Sequence, residues 1–265
     1  MKKVMNMLVG AAAFIAAASL VAQETQLNKA ADWKKNQAIT DGNGVLNVNG
    51  RVFMVSSKRF DIDPAKAYTI KYSVCAPNVQ EKKTAKIIGG FMVYDKDGRP
   101  VSSSHCKVIP DTLTEIVADA AKGESVLIVK DGSKFKKYSY WVVVADAKPD
   151  LSDLPNRNIL STGIKNVEKD GENWKITLGK PLVKDVKAGT SIRLHSAGGH
   201  LYTAGIKNVG NDWIVMSGTI KGVRKGVWFG YVWPAGAAKA EIIILSDWNN
   251  LKTQVQFKDI SLTVK

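Results

Sequence analysis

The sequence predicts an all-β protein. Short runs rich in β-branched and aromatic residues recur along the 265-residue chain, and Gly, Asn, Asp and Pro separate them. Turn dipeptides such as Asp97-Gly98, Asp131-Gly132 and Asp170-Gly171 stand between consecutive runs. Many short strands with turn signals of this kind are typical of a β-sandwich or a β-barrel.

Ten runs are expected to be strands, at residues 51–55, 67–75, 87–94, 125–130, 139–145, 174–178, 191–194, 213–220, 240–245 and 253–264. In the second run, Tyr68, Ile70, Tyr72 and Val74 alternate with smaller or polar residues, which predicts a strand with one buried face. The continuous apolar runs 141–144 and 242–245 predict strands buried on both faces. Residues 113–121 are the single helix candidate.

The first 22 residues have the layout of a secretory signal peptide. Lys2 and Lys3 precede an uncharged, Ala-rich apolar run at 5–21, and cleavage is expected after Ala22. An uncleaved membrane anchor is the alternative, but a spanning helix needs about 20 strongly apolar residues. No later stretch is long enough to span a bilayer. We therefore expect a secreted, periplasmic or cell-surface protein.

The chain is basic, with a formal net charge of +14. The basic residues are mostly Lys, spread along the sequence, and no nucleic-acid-binding motif accompanies them. We expect no nucleic-acid partner, and interpret the charge either as a solvated lysine surface or as attraction to acidic glycans. Cys75 and Cys106 are the only cysteines, and they are expected to form either a disulfide or two buried thiols.

Several segments resemble the strands of carbohydrate-binding modules of the family 4/9 kind, which are galactose-binding-domain-like jelly rolls. The matching segments are 59–64 (RFDIDP), 68–74 (YTIKYSV), 89–98 (GGFMVYDKDG), 213–222, 233–245 and 255–262 (VQFKDISL). The resemblance implies a jelly-roll β-sandwich and a function in binding carbohydrate.

The middle of the chain departs from that pattern. The expected organisation is a signal peptide at 1–22, a jelly-roll sandwich formed by 23–110 and 197–265, and a small inserted all-β subdomain at 111–196. A surface-loop insertion is tolerated when its two ends lie close together. The pentapeptide Gly-Ile-Lys-Asn-Val occurs at both 163–167 and 205–209, which predicts two hairpins with the same turn chemistry.

No catalytic motif is evident. The sequence has no Gly-x-Ser-x-Gly nucleophile elbow, no His-Glu-x-x-His and no phosphate-binding loop, so we expect a protein that is not an enzyme. His195 and His200 flank four small residues, and a hairpin there would bring the two imidazoles face to face. The absence of a third ligand nearby favours two incidental histidines over a metal site.

Aromatic residues in polar surroundings are the candidates for binding a ligand, because sugars stack their apolar faces on exposed rings. Trp248 stands beside Asn249 and Asn250 in a polar loop, Trp33 lies in another polar stretch, and Tyr202 follows the second histidine. Trp213, Trp228 and Trp233 lie in strand-like runs and are expected in the core.

The resemblance also implies a structural calcium that joins the last strand to the start of the chain. Asp259 matches the acidic ligand of the family, and Asp32 or Asp41 is expected to supply the other side, since calcium takes six to eight oxygen ligands. Solvated surface carboxylates are the alternative for each of these residues.

These observations together predict a secreted, non-catalytic protein that binds a carbohydrate or glycan, acidic glycans included. A structural or adhesive surface protein with a protein partner is the alternative, and a glycan-active enzyme is the third possibility. Fold alone does not decide among the three.

Overall fold

The computed structural model describes residues 22–265, so the expected signal peptide at 1–22 lies outside the described residues except for Ala22. The first ten strands are β1 (Gln23–Gln26), β2 (Ile39–Gly42), β3 (Val45–Asn49), β4 (Val52–Val55), β5 (Phe60–Asp61), β6 (Ala67–Cys75), β7 (Ala85–Tyr94), β8 (Pro100–Val101), β9 (Thr114–Glu115) and β10 (Val126–Val129). The other ten are β11 (Tyr138–Ala145), β12 (Ile159–Asp170), β13 (Asn173–Leu178), β14 (Ser191–Ser196), β15 (Leu201–Val209), β16 (Ile214–Lys221), β17 (Val223–Arg224), β18 (Trp233–Pro234), β19 (Lys239–Ser246) and β20 (Gln254–Val264). Two short helices complete the described chain, a 3-10 turn at Ala30–Asp32 and α1 at Ser103–Cys106.

The fold is an all-β sandwich, as the sequence predicts. The first sheet has the strand order β16-β6-β20-β3-β2, with β1 added along β20. The second sheet has the order β15-β7-β19-β4, with the short strands β8 and β5 added along β7 and β19. The eight main strands of the two sheets are β3, β4, β6, β7, β15, β16, β19 and β20. Along these eight, the chain passes from one sheet to the other at every connection except that from β7 to β15. This is the double Greek-key topology of a jelly roll.

Alternation along the strands builds the core between these two sheets. Tyr68, Ile70, Tyr72 and Val74 on β6 are all buried, as their spacing predicts. They pack in one apolar cluster with Phe91 on β7 of the second sheet and with Trp233 on β18, a short strand that pairs with β17 outside the two large sheets. Aromatic side chains of the core therefore come from both sheets of the sandwich and from β18.

A third sheet is built from the chain between β8 and β15. Its strand order is β10-β13-β12-β11-β14-β9, and it has an apolar cluster of its own that shares no residue with the sandwich core. The helix expected at 113–121 is absent from this sheet: Thr114–Glu115 forms β9, and Ile116 and Ala120 make isolated bridges to Val129 and Val186. Pairing with these neighbours outweighed the weak local helical pattern.

Buried polar contacts join the third sheet to the chain around α1. Arg193 and Asp153 form an ion pair at 2.7 Å, with side chains that are 3% and 7% exposed. His195 Nδ1 lies 2.8 Å from the carbonyl oxygen of Ser104, and Arg193 Nε donates to His195 Nε2 at 3.2 Å. His195 is therefore fixed within the structure and does not face His200, which contacts the second sheet instead.

The repeated pentapeptide lies in two bulged strands. Gly163 on β12 and Gly205 on β15 have φ values of 79° and 78°, and each stands beside a shift in strand register. Only β12 continues into a hairpin partner, because β15 and β16 belong to different sheets. The expectation of two equivalent hairpins is wrong, and what the two copies share is a glycine that bends the strand.

Cys75 and Cys106 are both free, buried thiols, which decides between the two alternatives for them. Burial raises the pKa of Cys106 to about 12, so this thiol stays protonated at neutral pH. Among residues 22–265, no helix is long and apolar enough to cross a membrane.

Candidate functional site

The outer face of the second sheet, which points away from the sandwich core, carries an apolar floor. This floor consists of Val55, Ile88, Ile243 and Leu245, each at most 9% exposed. Ile243 pairs with Val55 and Leu245 pairs with Ile88, so the four side chains are neighbours across three strands. Because an outward-facing residue is buried only when something lies over it, this face must be covered by other parts of the chain.

The chain at the start of β15 supplies part of that cover. A Cβ atom built on Gly90 would lie 1.8 Å from the carbonyl oxygen of Leu201 and 2.8 Å from Cα of Tyr202. The register between β15 and β7 shifts in the same place, between Leu201 and Gly205. The backbone at 201–202 therefore rests directly on the sheet at Gly90, where no other residue type leaves enough space.

Three rings continue across this face. The imidazole of His200 stacks on the phenyl ring of Phe53, with ring centroids 5.3 Å apart and an interplanar angle of 18°. His200 also makes an edge contact with Tyr202, at 6.5 Å between centroids. Phe53 is 40% exposed, so the outer end of this row is open to solvent.

Trp248 packs on the same floor from the loop after β19. The guanidinium of Arg51 lies 4.0 Å from the centroid of the indole, a cation–π contact that holds the ring in place. Asn249 fixes this loop, because its amide accepts from the backbone N–H of Lys86 at 2.7 Å and donates to Thr84 O at 2.8 Å. Asn250 is exposed and has a φ of 58°. We call Phe53, His200, Tyr202 and Trp248 the aromatic face.

A buried carboxylate lies on the same side of the sheet. Glu241 is 2% exposed and accepts from Tyr94 Oη at 2.6 Å, Lys34 Nζ at 3.0 Å and Arg59 Nε at 3.1 Å. Burial alone would raise the pKa of Glu241, but hydrogen bonds from these three partners outweigh it and the pKa is lowered. A carboxylate engaged in this way orients its neighbours and has no free proton to transfer at neutral pH.

The structure brings only part of the expected ligand-binding set together. Tyr202 and Trp248 share the apolar floor, with Asn249 and Asn250 beside them. Trp33 is 2% exposed and its Nε1 donates to Leu27 O at 3.1 Å, so this indole is part of the core and we leave it out of the site.

The three tryptophans expected in the core differ in their surroundings. Trp233 is fully buried and Trp228 is half-buried, but Trp213 is 39% exposed, so the expectation for Trp213 is wrong. Trp213 immediately precedes the first residue of β16, and Lys258 Nζ lies 4.4 Å from the centroid of its indole ring.

Each of the three carboxylates expected to hold calcium has a polar neighbour within the chain. Asp32 accepts from Lys29 N at 2.9 Å and Asp41 from Ala30 N at 2.6 Å, while Asp259 lies 3.5 Å from Ser73 Oγ. Within residues 22–265, no group of three or more His, Cys, Asp and Glu side chains is arranged to hold a metal ion. The expected site combines two of these carboxylates with backbone carbonyls, and calcium stays an untested prediction.

Sequence reasoning missed Phe53, His200 as a stacking residue, and the supporting role of Gly90. Phe53 had a detectable signal, because it alternates with Val52 and Met54 and so points outward from the strand. The contact between His200 and Phe53 leaves no signal in the sequence, because only the fold brings these two residues together.

No protein-family model and no curated protein matches this chain, so the resemblance to carbohydrate-binding modules is supported by the jelly-roll topology and not by a family match. One solved structure similar to the chain is named "Putative glycosyl hydrolase" and comes from Parabacteroides distasonis ATCC 8503. It is 12% identical, covers 91% of this chain and 98% of its own, and has a TM-score of 0.28.

The prediction that this protein is not an enzyme is contradicted by the name of that structure, and we withdraw it. The likeness does not assign an activity to this chain either, because a TM-score of 0.28 is too low to compare the two folds in detail. The aromatic face is therefore the feature of the molecule that indicates a function.

Proposed function

We propose that this protein binds a saccharide on the aromatic face of the second sheet. The observation that carries the proposal is a row of rings on one side of the sheet, in which Tyr202 and Trp248 pack on a buried apolar floor and His200 joins Tyr202 to Phe53. The proposal includes export from the cytoplasm, which the leader-like segment at 1–22 predicts.

The chemistry of sugars fits this arrangement. A pyranose ring has one face lined by C–H groups, which stack on aromatic rings, while its hydroxyl groups need polar partners at the edge. Arg51 and Asn250 are exposed polar residues next to Trp248 and can supply those partners. The rings are fixed before a ligand arrives, by Arg51 above Trp248 and by the stack between Phe53 and His200, which lowers the entropy cost of binding.

The test is a glycan array probed with the mature protein and with Trp248→Ala. Trp213→Ala is the matched control, because Trp213 is also partly exposed and also lies under a cation, Lys258, but stands before a strand of the first sheet. We expect the wild type and Trp213→Ala to bind the same glycans, and Trp248→Ala to lose at least about tenfold in affinity, the equivalent of one ring contact.

Absence of a signal on every glycan would overturn the proposal. Equal losses in the two tryptophan variants would overturn the location on the second sheet. Capture of a protein partner that competes for Trp248, with no glycan binding, would favour the structural or adhesive alternative.

A further inference from the structure

We infer that the third sheet carries a second binding site, one that takes anionic saccharides. The site is a depression of about 580 Å³ at the junction of β11, β12 and the end of β13, which is within the usual size of ligand pockets. The inference rests on the proposed function in that the ligand is a saccharide, but none of its residues belongs to the aromatic face. The lining residues that carry the inference are Lys137, Tyr138, Gly163, Lys165, Gly179 and Lys180.

An irregularity in the sheet creates the depression. The pairing of β11 with β12 shifts between Tyr138 and Val142, where Gly163 has a φ of 79°. Gly179, which directly follows β13, lies against Gly163 on β12. A Cβ atom on Gly179 would lie 2.8 Å from Thr162 O and 2.9 Å from Cα of Gly163. Both glycines are required for this close approach of backbones, and together they leave a floor without side chains.

The charge of the depression is uniformly positive. Three of its nine lining residues are lysines and none is acidic. The described residues include no ion-pair partner for Lys137, Lys165 or Lys180. By contrast, Lys175 on β13 and two lysines in nearby loops, Lys130 and Lys187, are each paired with a carboxylate. Three unpaired ammonium groups around one concave surface raise the local concentration of anions.

The ligand class follows from the side chains that accompany the lysines. Tyr138 is 45% exposed and contacts the 61% exposed Tyr140, with 5.8 Å between ring centroids, so rings for stacking are available at the rim. The lining contains no arginine, although arginine is the residue that most often reads phosphodiester and base groups. A saccharide with sulfate or carboxylate groups can stack its sugar rings on the tyrosines and pair its anionic groups with the lysines. Such a ligand therefore fits the depression better than a nucleic acid does.

The experiment compares two variants of the full mature chain. One carries Lys137→Gln, Lys165→Gln and Lys180→Gln, and the control carries Lys35→Gln, Lys66→Gln and Lys122→Gln, three exposed lysines elsewhere that remove the same charge. The probes are heparin for sulfate groups, polygalacturonate for carboxylates, neutral dextran, and a DNA duplex. Affinities are measured at about 50 and 200 mM salt, because charge-driven binding weakens with ionic strength.

We expect the wild type and the control to bind heparin, polygalacturonate or both, with binding that weakens at the higher salt concentration. The depression variant should lose at least about tenfold in affinity for the anionic polymer, while its melting temperature and its glycan-array profile for neutral sugars stay unchanged. The probe that binds more tightly identifies sulfate or carboxylate as the group recognised.

Equal losses in the two triple variants would overturn the inference, since the effect would then come from net charge. The inference would also fall if neither anionic polymer bound at 50 mM salt, or if the DNA duplex bound as tightly as heparin and lost affinity in the same variant. None of these outcomes affects the proposal for the aromatic face, which is tested on neutral glycans with Trp248→Ala.

Discussion

His200 stacks on Phe53 although the two residues belong to opposite edges of the second sheet. His200 immediately precedes β15, Phe53 lies on β4, and β7 and β19 separate these strands in the sheet. The contact therefore spans the outer face, where Tyr202 and Trp248 pack over the buried residues Ile243 and Leu245. The sheet is hydrophobic on both faces because one face meets the sandwich core and the other meets these rings.

The stack between Phe53 and His200 should contribute measurably to stability. Double-mutant cycles on aromatic ring pairs give about 0.5–1.5 kcal/mol beyond the area buried. We expect Phe53→Ala and His200→Ala, combined in a cycle, to show a coupling energy in that range by urea denaturation. Additive effects of the two substitutions would contradict the contact.

Gly90→Ala should be strongly destabilising. The added methyl group would meet Leu201 O at 1.8 Å, which forces either the backbone at 201–202 or β7 to move. Overpacking of this kind costs about 1–3 kcal/mol or more of unfolding free energy. The control is Gly210→Ala, where a Cβ has no neighbour within 4 Å and the change should stay within about 0.5 kcal/mol. Equal effects at the two glycines would show that the backbone does not rest on Gly90.

Asp153→Ala should destabilise the protein much more than Asp119→Ala. Asp153 is 7% exposed and its loss leaves the guanidinium of Arg193 buried without its ionic partner, a change that costs about 3–5 kcal/mol. Asp119 pairs with Lys187 at the surface, where solvent screens the attraction between the two charges and such pairs contribute little to stability. Chemical denaturation of both variants measures the difference, and similar losses would contradict the buried ion pair.

Stability should decrease below neutral pH because of His195. Burial, aided by the positive charge of Arg193, lowers the pKa of His195 to about 4, whereas the same side chain in the unfolded chain keeps a pKa near 6.5. The unfolded state then binds more protons between these two values, so this stabilising contribution is complete above pH 6.5 and is lost as pH falls towards 4.

The measurement for His195 is the unfolding free energy at pH 7, 5.5 and 4.5. His195→Gln should show a smaller decrease over this range than the wild type, with part of the decrease remaining because burial also lowers the pKa values of His105 and His200. Identical pH profiles for the two proteins would show that His195 is not the titrating group.

Sequence patterns predicted the strands well where burial alternates with position. Tyr68 to Val74 on β6 follow that alternation, and the apolar run 242–245 is buried on both faces as predicted. The helix predicted at 113–121 is wrong, because residues of this segment pair with distant strands and loops in place of forming a helix.

The candidate site could be predicted only in part. The sequence points to Trp248 because a large ring stands in a polar segment, and to Tyr202 because it follows His200. Trp33 has the same local signal as Trp248 and lies in the core. The difference depends on the hydrogen bond from its indole to Leu27 and on packing between the sheets, neither of which is visible in the residues around it. Phe53 and His200 are 147 positions apart in the chain, and only the fold brings them together.

The most direct test of the aromatic face is the affinity of a double variant, Phe53→Ala with Trp248→Ala, for the glycan that binds most tightly on the array. The control is Trp213→Ala, a partly exposed indole that stands before a strand of the first sheet, away from the aromatic face. Calorimetric titration should show a loss of about 100-fold for the first variant, roughly 1.4 kcal/mol for each ring, and less than a twofold change for the control. Unchanged affinity in the first variant, or a greater loss in the control, would contradict saccharide binding on this face.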